Sequence, residues 1–194
     1  SIVRSARNIA RWGQVGLSVG LFFILASIQP DLNSVFFWIG MFIVGAGFGL
    51  LASQLGNVSM SAVDKKDTAV VGGLQGTFQN LGTSFGTAIV GSVFMLMLSS
   101  GFVSAVNSNQ DLSSTVKTQI SGVAQTGVQI VSEDQAKQAV IDNGGSEDTA
   151  ETLASTYEDA QLAALQQAMF VVFALSIVSL LLSRSLPAQV PQPA

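Results

Sequence analysis

Thr68 to Leu98 reads TAVVGGLQGTFQNLGTSFGTAIVGSVFMLML and holds no Asp, Glu, Lys or Arg. A stretch of this length and character belongs either in a very large core or in lipid. A spanning helix needs about 20 mostly apolar residues to cross roughly 30 Å of hydrocarbon, with every backbone polar group bonded inside the helix. The chain has 194 residues, 48% of them hydrophobic and only 10% charged, and a mean hydropathy of +0.51. Soluble domains carry about 25% charged residues, and a chain of this size cannot hide so much apolar surface within itself. The stretch reads as a membrane span.

Outward from it, the charges are again absent from Trp12 to Pro30, from Leu32 to Val63 and from Ala160 to Ser183. These give four spans, at about 12–28, 34–56, 68–98 and 165–184, the last with its helix over Leu165–Leu182. The fold class is therefore an all-α polytopic membrane protein. The first two spans form an antiparallel hairpin, because Gln29-Pro30-Asp31-Leu32-Asn33 is breaker chemistry and Ser34 can cap the second helix. Arg4, Arg7 and Arg11 precede the first span, Lys65 and Lys66 lie between the second and third, and Arg184 follows the fourth. Lys and Arg near helix ends mark the cytoplasmic side. That places both termini, including a tail at 185–194, inside the cell, and the 99–164 segment outside.

The 99–164 segment holds nine of the twelve acids (Asp111, Glu133, Asp134, Asp142, Glu147, Asp148, Glu151, Glu158 and Asp159) against Lys117 and Lys137. It reads as a solvated acidic loop with short amphipathic helices. One starts at Ser132, with Gln135 in capping-box spacing, and Asn143-Gly144-Gly145 ends it. From Ser146 there is no Gly or Pro until Pro187, so one helix is expected to run from the loop into the last span.

Glycine is a liability in soluble helices, but in lipid it lets backbones approach closely. Gly45 and Gly49 in the second span, and Gly72 and Gly76, Gly82 and Gly86 in the third, stand four residues apart, with Gly91 beyond them. At about 100° per residue, Leu74, Phe78, Leu81, Phe85 and Ile89 fall in one narrow arc, which faces lipid or an apolar neighbour. The much wider opposite face collects the glycines with Gln75, Gln79, Asn80, Thr83 and Thr87. So wide a small and polar face is expected to be enclosed by other helices, and four are too few to enclose it. An unpaired amide in hydrocarbon loses several kcal/mol of hydration. Gln75, Gln79 and Asn80 thus bond to other helices or line a solute path, whereas Gln54 and Asn57 sit near the cytoplasmic interface.

No Cys and no His are present, which leaves no residues for thiolate catalysis, disulfides or the usual zinc and haem ligation. No cofactor, metal or nucleic-acid partner is expected; the lipid bilayer is. Gly45-x-Gly47-x-Gly49 lies inside a span, not after a strand, and is not a dinucleotide loop. No nucleophile–base pair is visible, and Glu133 and Asp134, adjacent on a helix, point away from each other, so an enzyme is not expected. No ionisable residue falls at an expected midplane, where proton relays need one.

Gly72-Gly73-Leu74-Gln75-Gly76-Thr77-Phe78-Gln79-Asn80-Leu81-Gly82-Thr83-Ser84-Phe85-Gly86-Thr87-Ala88-Ile89-Val90-Gly91 resembles the penultimate helix of fourteen-helix drug:proton antiporters of the major facilitator superfamily. The Gly45-x-Gly47-x-Gly49 helix, the long loop and the last helix with a basic end at Arg184 are similar too. The resemblance implies that the chain corresponds to the last four helices of a bacterial plasma-membrane exporter, with the remaining N-terminal helices as partners. It implies a lipophilic or cationic small molecule exchanged for protons. The second span would approach the central cavity, the third would pack between the two halves, and the first and fourth would be peripheral. Many members carry Arg where this chain has Gln79, and their coupling carboxylates match no position here. The competing expectation is a self-contained four-helix scaffold or oligomeric pore whose glycine faces pair between copies.

Overall fold

A computed structural model describes residues 2–29, 34–61, 63–110, 112–125, 130–142 and 144–183. The described residues form six α-helices: α1 Ile2–Ala26, α2 Val35–Ser61, α3 Thr68–Ser108, α4 Ser114–Gln125, α5 Glu133–Asp142 and α6 Glu147–Leu182, with a 3₁₀ turn at Lys65–Asp67 before α3. Four of them contain a stretch long and apolar enough to cross a bilayer: Asn8–Ala26, Val35–Gly56, and stretches within α3 and α6. The protein is an all-α polytopic membrane protein. Arg184 and the 185–194 tail lie outside the described residues, as do Asp31 and Asp111.

Three helices are longer than expected at one end, α2 running on to Ser61 rather than ending at Gly56. α1 begins at Ile2 rather than near Trp12, because nothing in Ile2–Arg11 breaks a helix. α3 continues past Leu98 to Ser108, since Phe102 and Val106 extend its apolar face and find packing partners. At 1.5 Å per residue, its 41 residues reach about 60 Å, twice the hydrocarbon thickness. α6 is the expected single helix from the acidic segment into the last apolar stretch.

The chain divides into two compact units. The first comprises residues 1–88 and 169–194. Its centre is the α1–α2 hairpin, where α1 and α2 run antiparallel at backbone contact distance. A Cβ on Gly47 would stand 2.7 Å from Leu17 N and 2.8 Å from Gly13 O, and one on Gly20 would stand 2.9 Å from Gly40 O. Ser34 caps α2, its Oγ accepting from Phe36 N–H at 3.3 Å. Phe23 and Phe36 stack at 6.3 Å. The 169–183 part of α6 lies along α1, with Phe173 6.2 Å from Phe22.

The second unit comprises residues 89–168 and has its own core. Leu98, Tyr157, Ala160 and Ala164 form one buried cluster, to which Phe102, Val131 and Ala136 are packed. Val106, Leu112 and Leu153 form another, closed by Val116, Ile120 and Val140. The helix ends here are built from local side chains. Ser132 and Gln135 make the expected reciprocal capping box, Gln135 N–H to Ser132 Oγ at 3.3 Å and Ser132 N–H to Gln135 Oε1 at 3.1 Å. Ser113 caps α4 and Ser146 caps α6 with a single bond each, the Val116 and Thr149 N–H donating to the serine Oγ at 3.3 Å. α5 ends in a Schellman turn, with Gly145 N–H donating to Val140 O and Gly144 N–H to Ile141 O, and Gly144 takes φ +83°.

Candidate functional site: the exposed faces of α3

α3 between Thr68 and Ala88 contains no buried residue. The arc of Leu74, Phe78, Leu81, Phe85 and Ile89 is uncovered, with Phe78 and Phe85 each 65% exposed. The opposite face is only partly covered. Gln79, Asn80, Gly82, Thr83 and Thr87 are exposed, while Gly72, Gln75, Gly76 and Gly86 are half-buried. Thr77 and Thr83 turn their hydroxyls back onto their own helix, donating to Gly73 O at 3.0 Å and Gln79 O at 2.9 Å. That leaves the amides, with the Ser84 and Thr87 hydroxyls, as the polar groups presented outward. Gln75 Oε1 is shielded and accepts no hydrogen bond among the described residues.

The structure does not gather the expected polar residues into one contact. Gln54 is half-buried on α2, and its Nε2 donates to the neighbouring Ser53 Oγ at 3.3 Å; no hydrogen bond joins it to Gln75, Gln79 or Asn80. Nothing among the described residues lies within 4 Å of a Cβ on Gly45, Gly49, Gly76, Gly82, Gly86 or Gly91, and a Cβ on Gly72 meets only Met60 Cε at 3.8 Å. Within this chain, then, these seven glycines are not the contact positions. The glycines in contact are Gly13, Gly16 and Gly20 of α1 against Gly40 and Gly47 of α2. The signal for them is a matched spacing: 13 to 20 and 40 to 47 are each seven residues, two turns, on antiparallel partners.

Sequence reasoning also passed over a polar seam between α1 and α6. Gln14 Nε2 donates to Ser176 O at 3.1 Å, and the Ser18 and Ser176 hydroxyls meet at 2.6 Å, all three residues buried. Arg11 Nη2 donates to Ser183 O at 3.4 Å, just past the last residue of α6. A cation at the carbonyl end of a helix opposes the negative end of its dipole. Arg11 lies inside the apolar stretch Asn8–Ala26, so the first span carries a charge that the expected start at Trp12 left outside. Among the described residues no three acids group as a metal site.

The chain is similar over 104 residues, with 26% identity, to a protein of Streptomyces coelicolor described as "Probable actinorhodin transporter". The match takes 52% of this chain and 18% of the relative, so the chain spans less than a fifth of the length of the curated relative it matches. No family model matches the chain, and no solved structure matches it.

Proposed function

We infer that the chain is part of a secondary active transporter, a small-solute exporter working by alternating access. The observation that supports this reading is α3, a charge-free helix whose apolar arc is open and whose amide and glycine face is only partly covered over 68–88, while α1, α2 and the end of α6 pack together. Gln79 and Asn80 cannot rest against hydrocarbon without a cost of several kcal/mol each. Further helices supply partners, and a water-filled solute path between them supplies the rest. Similarity to a much longer protein described as a transporter supports the same reading.

In this account Gly72, Gly76, Gly82, Gly86 and Gly91 of α3, with Gly45 and Gly49 of α2, meet helices outside this chain. Gln75, Gln79, Asn80 and Gln54 face those helices or the path. The solute is a lipophilic or cationic small molecule and the coupling ion is the proton, its carboxylates lying on the other helices. The membrane is the bacterial plasma membrane, with both termini cytoplasmic and 99–164 outside.

The test is transport of tetraphenylphosphonium into inside-out vesicles under an imposed proton gradient, by the polypeptide that carries this sequence together with its other helices. Gradient-dependent uptake is expected, and Asn80→Leu is expected to lower it about tenfold, the equivalent of one lost hydrogen bond of about 1.4 kcal/mol. Uptake indifferent to the gradient would remove the coupling, and equal uptake by the 194-residue chain alone would remove the further helices.

A further inference from the structure

The two long helices are treated very differently by the two units. Leu98 and Val106, the largest fully buried side chains among the described residues, are both on α3, and both lie in its 89–108 part. On α6 the buried positions of the same unit recur at Ala150, Leu153, Ala154, Tyr157, Ala160, Ala164 and Ala168, the three-and-four spacing of a helix packed along its length. Large side chains of α3 thus pack among mostly small ones of α6.

Tyr157 joins three elements. It is 3% exposed, its ring meets Phe102 of α3 edge-on at 5.5 Å and 88°, and its hydroxyl accepts the Val131 N–H at 3.2 Å. α4 closes the far end, with Val116 and Ile120 on the cluster of Val106, Leu112 and Leu153, and Lys117 Nζ donates to Asn107 O at 3.2 Å in the last turn of α3. A cation there offsets the helix dipole and satisfies an orphan carbonyl.

We propose that the 89–168 unit is a clamp that holds residues 89–108 of α3 and 147–168 of α6 as one rigid body, with Tyr157 as its central fastening. A tyrosine buried on its ring face and bonded at its hydroxyl fixes both the separation of the two helices and the segment that leads into α5. The part of α3 outside the clamp, 68–88, has no buried residue in this chain. The inference stands without the transport reading, because it rests on packing inside one unit.

The chain lacks cysteine, which permits unique spin-label pairs in the full chain in lipid nanodiscs. Ser104→Cys with Ser155→Cys, both exposed, reports within the clamp; Thr83→Cys with Ser179→Cys reports outside it. The clamp pair is expected to give a distance distribution about half as wide as the other pair, as for a cooperative unit beside a weakly packed one. Tyr157→Ala should broaden the clamp pair to the width of the other. Tyr157→Phe should leave its width unchanged and raise hydrogen exchange at the Val131 amide about tenfold, the worth of one hydrogen bond. Equal widths for the two pairs in the parent chain overturn the clamp, as does a Tyr157→Ala clamp pair that stays narrow. If Tyr157→Ala unfolds the chain, Tyr157→Phe decides: a Val131 amide that exchanges no faster overturns the fastening.

Discussion

Gly47 and Gly45 are two residues apart on α2, yet they face different worlds. A Cβ on Gly47 would press on backbone atoms of Leu17, Gly13 and Gly16, which cannot move aside, whereas one on Gly45 meets nothing within 4 Å. Gly47→Ala is therefore expected to destabilise the 194-residue chain by about 2 kcal/mol, an overpacking cost. Gly45→Ala should stabilise it by up to about 1 kcal/mol through helix propensity. Unfolding by SDS titration in mixed micelles measures both, and equal shifts would contradict the α1–α2 register. The seam of Gln14, Ser18 and Ser176 is expected to contribute modestly, because the helices also find partners when separated in the membrane. Ser176→Ala should cost about 0.6 kcal/mol in the same titration. These residues were the least legible in the sequence. α2 offers two glycine stripes, 45 with 49 and 40 with 47, and only the matching stripe on α1 selects between them. Pairing is a property of two helices, and a single-helix reading cannot supply it. Gln14 and Ser18 were hidden for a related reason: single polar residues in an apolar span gain meaning only when Ser176 stands opposite.

At the scale of elements, helix starts and stops were the most legible features, because their chemistry is local. Ser132 with Gln135, and Asn143-Gly144-Gly145, announce the two ends of α5 within a few residues, and the bonds of Ser132, Gln135, Gly144 and Gly145 are found. Ser132→Ala is expected to cost about 1 kcal/mol of local stability. Gly144→Ala should cost about 1–2 kcal/mol, since φ +83° is strained for a residue with a Cβ. Hydrogen exchange at the Gln135 and Gly145 amides reads the two effects separately, and unchanged protection in either variant would contradict the corresponding end. The length of α3 was less legible. Ser99, Ser100 and Gly101 look like the surface of a bilayer, but helix ends are set by what the next turn can pack against, and Leu112 just beyond the helix, with Leu153 remote in sequence, provides that for Val106.

At the scale of the whole molecule, the charge-free stretches disclosed four spans because hydrocarbon imposes one rule on every residue it touches. What lies against α3 was legible only as a lack: the sequence shows a face too wide and too polar for four helices, and the structure covers that face only in part over 68–88. The orientation that the basic residues imply makes a direct prediction. A membrane-impermeant maleimide should label Ser155→Cys in intact cells and Val63→Cys only after permeabilisation, and the reverse pattern would invert the topology. The central claim, that helices of the same larger polypeptide cover α3, is tested most directly by a photo-crosslinking residue at the exposed Asn80 in the native membrane. An intramolecular adduct to a helix outside these 194 residues, found by peptide mapping, is expected. An adduct between the α3 helices of two copies of this chain would contradict it and favour a self-contained scaffold or pore.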